Sequence, residues 1–515
     1  MLQKIRLLAL RLGLMNKTNY DSDFCGRLPL NQTNMIQPYG YLLIVEASEM
    51  KIIQVSENVT ELFDKPLAEI INSQLGRFIP QVEVLLQKYN EGIRDKVPIA
   101  ITIAGNEHLA LVHSKNDLLL IEVEKNRYSN PRKFIDFYQQ LKYIFAKIEL
   151  GNSVEKVCEI AVTELKNLSG FDRVLMYQFD QDWNGTVVAE KHEEGMHPYL
   201  GHKFPASDIP KQARAMYQNN AYRFIPDRDY QPIKLFPIIN PHNMSFLDLS
   251  DCNMRSVASV HVEYLKNMDV AASLSIRIIK DEKLWGLISC HNKTPKYLNY
   301  EICSSFELLS MVISGKIASA INKKKFEFLS SLQQTRERLI DNIYTENDLV
   351  KGLLLNEVTV GDLLRADGVC IAFKGKINSI GITPSVQDME NLSYWLQAKN
   401  IDKTFSEINL SAIYENAEDY AEVASGVIVL PINADRGDYI IGFRKEVIQD
   451  IEWGGNPNQA INFEPDGKNY HPRNSFQVWK ETVKQTSLPW SEEELSSAED
   501  FRSFLFEYTT RYLNN

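Results

Sequence analysis

Short apolar runs alternate with polar breaks over the first 300 residues, and the period of each run predicts its element. Between Tyr39 and Glu124, "YGYLLIVEA", "KIIQVS", "AITIAG" and "LLLIEVE" are rich in aliphatic and β-branched residues, which predicts strands, while "NVTELF" between them has helical spacing. This is a small α+β domain with a sensor-like pattern. After the polar break "KNRYSNPRK" comes a helical stretch reaching Leu168, then "FDRVLMYQFD", "GTVVAEK", "AASLSIRII" and "LWGLISCHN", which again predict antiparallel strands. From Tyr300 to about Ile343 the period changes. No proline occurs there, and Ile302, Phe306, Leu309, Ile313, Leu332, Leu339 and Ile343 recur at helical spacing. Such a helix would run roughly 65 Å, longer than one domain needs, and is expected to tie two domains together.

Beyond it, "DLLRADGVCIAFKGKINSIGI" and "GVIVLPI" faintly echo "ELKNLSGFDRVLMYQFDQDWNGTVV": a helix, a Gly or Asp turn, then an apolar strand. The echo predicts a second copy of the same fold. The insertion "WGGNPNQAINFEPDGKNYHPRNSFQVW" interrupts this third domain with turn residues and aromatics. Finally "SEEELSSAEDFRSFLFEYTTRYLNN" opens with a capping box, Ser491 and Glu494, and carries Ala498, Phe501, Leu505, Tyr508 and Tyr512 at alternating three- and four-residue steps. That seam suits a helix pairing with a partner, and because it continues to the last residues, further sequence downstream is expected.

At 515 residues the chain has room for about three domains of ~150 residues. Its ordinary apolar and charged content predicts a soluble globular protein, and a formal net charge of −11 works against binding a phosphate backbone, so nucleic acid is not expected. The opening "MLQKIRLLALRLGLMN" is broken by Arg6 and Arg11, lacks a small-residue cleavage site and is too short to span a bilayer; a short amphipathic helix is the reading. No other segment reads as a membrane span, so no membrane partner is expected. The cysteines Cys25, Cys158, Cys252, Cys290, Cys303 and Cys370 show no CxxC spacing, which disfavours a disulfide framework or a zinc ribbon and points to a reducing, cytoplasmic setting.

Catalytic motifs are scarce. In "HEEGMH" the histidines His192 and His197 stand five apart with Gly195 between them, the wrong spacing for two zinc ligands on one helix face. No GxGxxG opens a helix, no GxxxxGK[ST] occurs, and no Ser/His/Asp arrangement stands out. Two other stretches invite chemistry. In "GHKFPASDIPKQARAMY" Asp208 stands just before a predicted helix and after the apolar Phe204, where an ordinary loop would turn its carboxylate to water. In "RSVASVHVEYL" Arg255, His261 and Tyr264 have spacings that could share one side of a helix, although a histidine beside apolar residues is ordinarily a hydrogen-bonded core residue.

Together with "SLS" (Ser273 to Ser275), "LWGLISCH" ending at His291, "WGGNP" and "HPRNSF", these stretches resemble, in order, the bacterial phytochromes. The resemblance covers nearly the whole chain and implies a PAS-GAF-PHY photosensory module. Its fold would be three α+β domains, each a central antiparallel sheet with flanking helices, joined by long helices, with an N-terminal knot through the GAF domain and a hairpin arm on the PHY domain. The implied boundaries are an N-terminal extension over 1–20, PAS over 21–130, GAF over 131–322 and PHY over 323–515, with the arm, or tongue, at about 446–485 and a truncated C-terminal signalling helix.

The resemblance also implies a linear tetrapyrrole, biliverdin IXα. A long conjugated plane with two propionates needs a flat apolar slot with basic and hydroxyl groups. By similarity, Arg223 and Arg255 fork onto the propionates, with Ser273, Ser275 and Tyr217 adding hydrogen bonds; the alternative for either arginine is a surface ion pair. Ile209 lines the slot, and Tyr177, Phe204, Tyr264 and Met176 wall the terminal ring, against the alternative of plain core packing. The Asp208 carbonyl accepts from pyrrole N–H groups, His261 helps hold a water beneath them, and His291 holds the carbonyl of ring D. The Asp208 carboxylate faces Arg473 of the tongue, whose other signalling residues are Trp453, Pro472 and Ser475.

Where many relatives carry the linking cysteine, this sequence has Val260, so the thioether is assigned to Cys25, with Cys252 as the rival and Cys290 and Cys370 as inert core. Reaching the pocket requires the N-terminal segment to thread a loop of the GAF domain, with Ile36 inside it. Tyr39, Ala258 and Asn292 depart from the family's common histidine, serine and histidine. The function implied is a reversible red/far-red light sensor that refolds its tongue. It would act as a homodimer through GAF and PHY helices and report to a histidine kinase or response regulator; the kinase itself is absent from this sequence, and no catalysis is expected. The alternative is a non-photochemical sensor of haem or another small molecule.

Overall fold

The computed structural model describes residues 32–90, 96–125, 134–457, 462–463, 470–471 and 476–512. It divides into two compact units, Met1–Ala320 with Glu452–Trp479, and Ile321–Ile451 with Lys480–Asn515.

The first unit is built around two large sheets. Strands β2 (Gly40–Glu46), β3 (Lys51–Ser56), β4 (Val97–Ile103) and β6 (Leu118–Glu124) fall on the early apolar runs, while β1 (Met35–Ile36) and β5 (Asn106–Lys115) are not predicted by them. Their sheet takes in one strand from much later in the chain, giving the order β1-β11-β3-β2-β6-β5-β4 with β11 at Ile233–Phe236. The loan explains why β2 is apolar at nearly every position rather than at alternate ones. Leu43 and Val45 face the domain's own helices, while Leu42 and Ile44 pack with Leu235, Leu249 and Met254. Gly40 is required by that second contact, since a Cβ there would lie 2.2 Å from the Met254 methyl carbon.

Ile36 is fully buried and held on both edges by one excursion of the chain. It pairs with Ile233 on one side and bridges Arg255 on the other. Gln37 adds bonds from its backbone N–H to the Met254 carbonyl (2.7 Å) and from its side chain to the carbonyls of Phe224 (3.1 Å) and Arg255 (3.3 Å). Ile36 therefore sits inside the loop, as expected.

The second sheet is built from β7 (Arg173–Phe179), β8 (Gly185–His192), β9 (Lys203–Phe204), β10 (Tyr222–Ile225), β12 (Ala272–Lys280) and β13 (Lys283–Asn292). Its order is β10-β12-β13-β7-β8-β9, and Trp453 pairs with Lys203 at its edge. One face is covered by the helix Val154–Ser169, capped by Ser153 and ended by a left-handed Gly170, and by the start of the helix Tyr300–Glu346. Ser310 Oγ donates to the Arg277 carbonyl (2.5 Å) and Ser314 Oγ accepts from the Ile279 N–H (3.0 Å), tying that helix to β12. Contrary to expectation, this helix contains an 18-residue window of mean hydropathy 1.2, a composition that would suit a membrane span. The apolarity has a local cause: Cys303, Phe306, Leu309, Ile313 and Ile317 are buried in the protein core.

In the second unit, β14 (Gly368–Phe373), β15 (Lys376–Gly381), β16 (Phe405–Glu407), β17 (Gly426–Asn433) and β18 (Asp438–Arg444) form a sheet of order β16-β17-β18-β14-β15. This repeats β10-β12-β13-β7-β8 strand for strand, so the faint echo in the sequence is a repeat of topology. The inserted arm contributes β19 (Gln449–Trp453), a small pair of β20 (Asn462–Phe463) with β21 (Tyr470–His471), and β22 (Trp479–Val483).

The last helix, Glu492–Tyr512, has its capping box: the Ser491 N–H donates to Glu494 Oε2 (2.8 Å) and the Glu494 N–H to Ser491 Oγ (3.2 Å). Its seam differs from expectation. Ala498, Phe501, Leu505 and Tyr508 are buried in the same core as Leu339, Ile343, Leu364 and Ile428. Three- and four-residue steps serve a helix covering a sheet as well as one pairing with a partner, and here the sheet takes the seam. Phe501→Ala is expected to lower the stability of this unit by ~3–5 kcal/mol, seen as an earlier denaturant midpoint by Trp490 fluorescence. The loss should not change with protein concentration, and a concentration-dependent loss would return the seam to an intermolecular role.

Candidate functional site

On the face of the second sheet opposite the helices lies a cavity of about 210 Å³, more than ten times the ~10–15 Å³ one water needs. Strand alternation sets its floor: Ser273 and Ser275 of β12, Leu287, Ser289 and His291 of β13, and Tyr177 of β7 all point into it. The walls come from the 207–210 turn, the helix Lys211–Asn219, the helix Ser259–Asn267 and the segment before it.

One end is cationic. Arg223 of β10 donates to three backbone carbonyls, Asn253 (3.2 Å), Arg255 (2.6 Å) and Ser256 (3.0 Å). Arg255 is 7% exposed, its Nη1 lies 3.4 Å from Met216 Sδ, and its Nε is buried without a hydrogen-bond partner. Burial and then the charge of Arg223 push the Arg255 guanidinium down to about 9, and burial lowers Arg223. Neither arginine forms an ion pair among the described residues, so the surface ion-pair alternative fails for both. Burial pushes the Tyr217 hydroxyl up, while its hydrogen bond with Ser275 opposes that shift.

Elsewhere in the lining, burial holds two imidazoles neutral. His261 is pushed down to about 4, with Arg223 adding to the effect, and His291 to about 3, with Arg173 and His261 adding. His291 Nδ1 is buried without a partner. The His261 and Tyr264 rings lie 6.0 Å apart and nearly parallel, and the Tyr264 hydroxyl donates to Asp208 Oδ2 (3.0 Å). The Phe476 ring meets Tyr264 edge-on at 5.1 Å.

The cavity gathers Tyr177, Asp208, Ile209, Tyr217, Arg223, Arg255, His261, Tyr264, Ser273, Ser275 and His291. Three expectations are corrected. Arg255 precedes the helix that carries His261 and Tyr264, because that helix begins only at Ser259. Phe204 stands behind the wall, edge-on to Tyr177 at 5.4 Å and to Tyr199 at 5.7 Å. Met176 alternates with Tyr177 and so faces the helix-covered side.

Trp453 of β19 pairs with Lys203, whose Nζ lies 5.4 Å from the centre of its ring. Cys25, Pro472, Arg473 and Ser475 lie outside the described residues. Cys252 lines the cavity with its thiol pushed far up by burial; burial likewise raises Cys290, and Cys370 to about 12. Of the departures, Tyr39 packs between Phe224 and Tyr297, and Asn292 accepts from the Asp172 N–H and donates to the Thr294 carbonyl. Ala258 starts its helix without a side-chain cap.

Sequence reasoning missed Arg214, which donates to the carbonyls of Ile209 (2.6 Å) and Ala206 (3.3 Å) and stacks on Trp183, so fixing the turn that carries Asp208. It also missed Ser289, although the two-residue period from His291 would have found it.

Residues 25–126 match the model of the PAS fold, 153–321 that of the GAF domain and 332–513 that of the phytochrome region. A bacteriophytochrome of Xanthomonas campestris pv. campestris is 30% identical over 497 residues, covering 94% of this chain and 78% of that protein. The crystal structure of a bacteriophytochrome from the photosynthetic bacterium R. palustris superimposes with a TM-score of 0.80 at 31% identity, over 94% of this chain and 99% of that one. The chain belongs to the phytochrome family. Cyanobacterial phytochrome B of Nostoc sp. is 35% identical over 491 residues, covering 94% of this chain, but this phytochrome chain spans only 65% of that relative's length. The Stigmatella aurantiaca phytochrome photosensory core module superimposes with a TM-score of 0.77 at 31% identity, over 95% of this chain and 98% of that one. The chain is thus a PAS-GAF-PHY photosensory module, with the cavity in its GAF domain.

Neutral imidazoles make the module's stability depend on pH. Unfolded histidine takes its proton near ~6.5, whereas His261 and His291 wait until about 4 and about 3, so between these values the unfolded state binds more protons. Stability should fall as pH is lowered from ~6.5 towards 4, by up to about 1.4 kcal/mol per pH unit for each histidine, and neither should contribute a slope above ~7.5. Denaturant midpoints at pH 5 and pH 7.5 test this. His291→Gln should shrink the difference, and an unchanged difference would refute a buried neutral imidazole.

Proposed function

We propose that this chain is the light-sensing part of a cytoplasmic red/far-red photoreceptor, that biliverdin IXα is its chromophore, and that the thiol of Cys25 adds across a vinyl group of that pigment to form a thioether. The observation that carries this reading is the pair of buried guanidiniums in one cavity, neither of which forms an ion pair among the described residues. Such a pair favours a ligand that brings two carboxylates of its own. The rest of the lining, apolar walls with a few hydroxyls and two neutral imidazoles, suits an extended conjugated plane.

When bound, the tetrapyrrole supplies a double bond beside its last ring that isomerises reversibly in light. The chain's own residues bind and orient it. Arg223 and Arg255 take the two carboxylates, with Ser273, Ser275 and Tyr217 completing their hydrogen bonds. The Asp208 carbonyl and neutral His261 serve the polar centre of the plane beside Ile209. Tyr177 and Tyr264 confine the last ring, and the neutral ring of His291 offers it one hydrogen bond.

For output, Asp208 would exchange Arg473 for Ser475 as the tongue, with Trp453 and Pro472, changes between two folds. The module would act as a homodimer through its GAF and PHY helices and report to a histidine kinase or response regulator. Reconstitution with biliverdin under alternating red and far-red light tests the reading. The expected result is a pigment that stays attached on denaturation and a reversible difference spectrum. Cys25→Ser should keep colour and lose the covalent attachment. A protein that stays colourless, or whose spectrum ignores light, would overturn the function; a covalent band surviving in Cys25→Ser would move the anchor to Cys252.

A further inference from the structure

The cationic end of the cavity stands on a segment that the PAS domain grips from outside. Arg255 follows residues 250–254, and three side chains of the PAS domain hold that stretch. Glu122 of β6 is completely buried, with one carboxylate oxygen accepting from the Asn253 N–H (3.2 Å) and the other from the Met254 N–H (2.8 Å). Lys96 donates to the side-chain oxygens of Asn253 (2.5 Å) and Asn220 (3.2 Å). Lys115 donates to Ser250 Oγ (2.7 Å) and Asp251 Oδ2 (2.8 Å).

From the cavity side Arg223 draws on the carbonyls of the same stretch, at Asn253, Arg255 and Ser256. Its amides are thus pulled to an anion and its carbonyls to a cation, and Arg255 emerges between them with Nε unpartnered. A backbone clamped between opposite charges has little freedom to rotate, which is the condition for presenting a guanidinium in one direction. Burial raises the Glu122 carboxyl, while Lys96, the two amides and Arg223 pull it back towards the charged form.

We propose that Glu122 is a positioning residue for the ligand's carboxylates: by holding the Asn253 and Met254 amides it fixes the direction in which Arg255 offers Nε–H to the bound acid. This rests on the reading of the cavity as a site for a dicarboxylate tetrapyrrole and goes beyond it, because the PAS domain then contributes to recognition in the GAF pocket.

The test uses the full chain carrying Cys25→Ser, so that binding is reversible, titrated with biliverdin and separately with its dimethyl ester, which lacks the charges. The parent should prefer the diacid, and Arg255→Gln should remove that preference. Glu122→Gln keeps the volume but turns an NH₂ towards one amide; it should weaken diacid binding about tenfold or more and leave ester binding within about twofold. Glu122→Asp, the gentler change, should lose affinity for the diacid only. In the ligand-free protein, amide exchange at Asn253 and Met254 should accelerate in both variants. Equal loss for diacid and ester, or no loss, would overturn the proposal and leave the bilin reading standing. A parent protein that binds neither compound would overturn both.

Discussion

The site depends on keeping two guanidinium groups in one cavity with no ion pair to either among the described residues. Arg223 is held by three backbone carbonyls, which satisfy its N–H groups but not its charge. Arg255 keeps an N–H in reserve. Buried charge without a counter-ion is costly, so the surrounding protein supplies opposing charge at a distance, through Glu122 behind the loop. The same positive potential, added to burial, keeps the imidazole of His261 neutral.

The two GAF-like sheets show how one topology yields a cavity once and a solid core once. In the first, the face away from the long helix carries Ser273, Ser275, Ser289 and His291 on its two central strands. In the second, the corresponding strands carry Val427, Val429, Tyr439, Ile441 and Phe443, which pack with Tyr414, Tyr420 and Met389 into a closed cluster. Backbone order is the same, and side-chain volume decides which face can hold a ligand. Fold alone therefore does not locate the site.

Beside the cavity, the sheet continues into the inserted arm where Trp453 pairs with Lys203. The Gly454 N–H donates to the Lys203 carbonyl (2.9 Å), and a Cβ on Gly454 would come within 2.6 Å of the Phe204 ring. Phe204 in turn rests on Tyr177, a cavity wall. A movement of that wall has a packed route to Gly454 of the inserted arm, alongside the contact of Phe476 with Tyr264.

What the amino-acid order determined by itself was local. Short runs of aliphatic and β-branched residues marked most of the strands, proline-free helical spacing marked Tyr300–Glu346, and the Ser491 and Glu494 pair marked the last helix start, because each depends on neighbours within a few positions. The ordered motifs also picked out most of the cavity's polar groups. Tertiary structure decided the rest. Only strand direction shows that Met176 and Phe204 miss the cavity, and only the loan of β11 to the first sheet explains the unbroken apolarity of β2. The seam of Phe501 and Leu505 is apolar in the same rhythm whether it meets a partner or its own sheet. Glu122 stands 133 residues before Arg255, and no spacing rule joins them; folding brings the two domains together around Ile36, and that contact turns an unremarked acid into a support of the pocket.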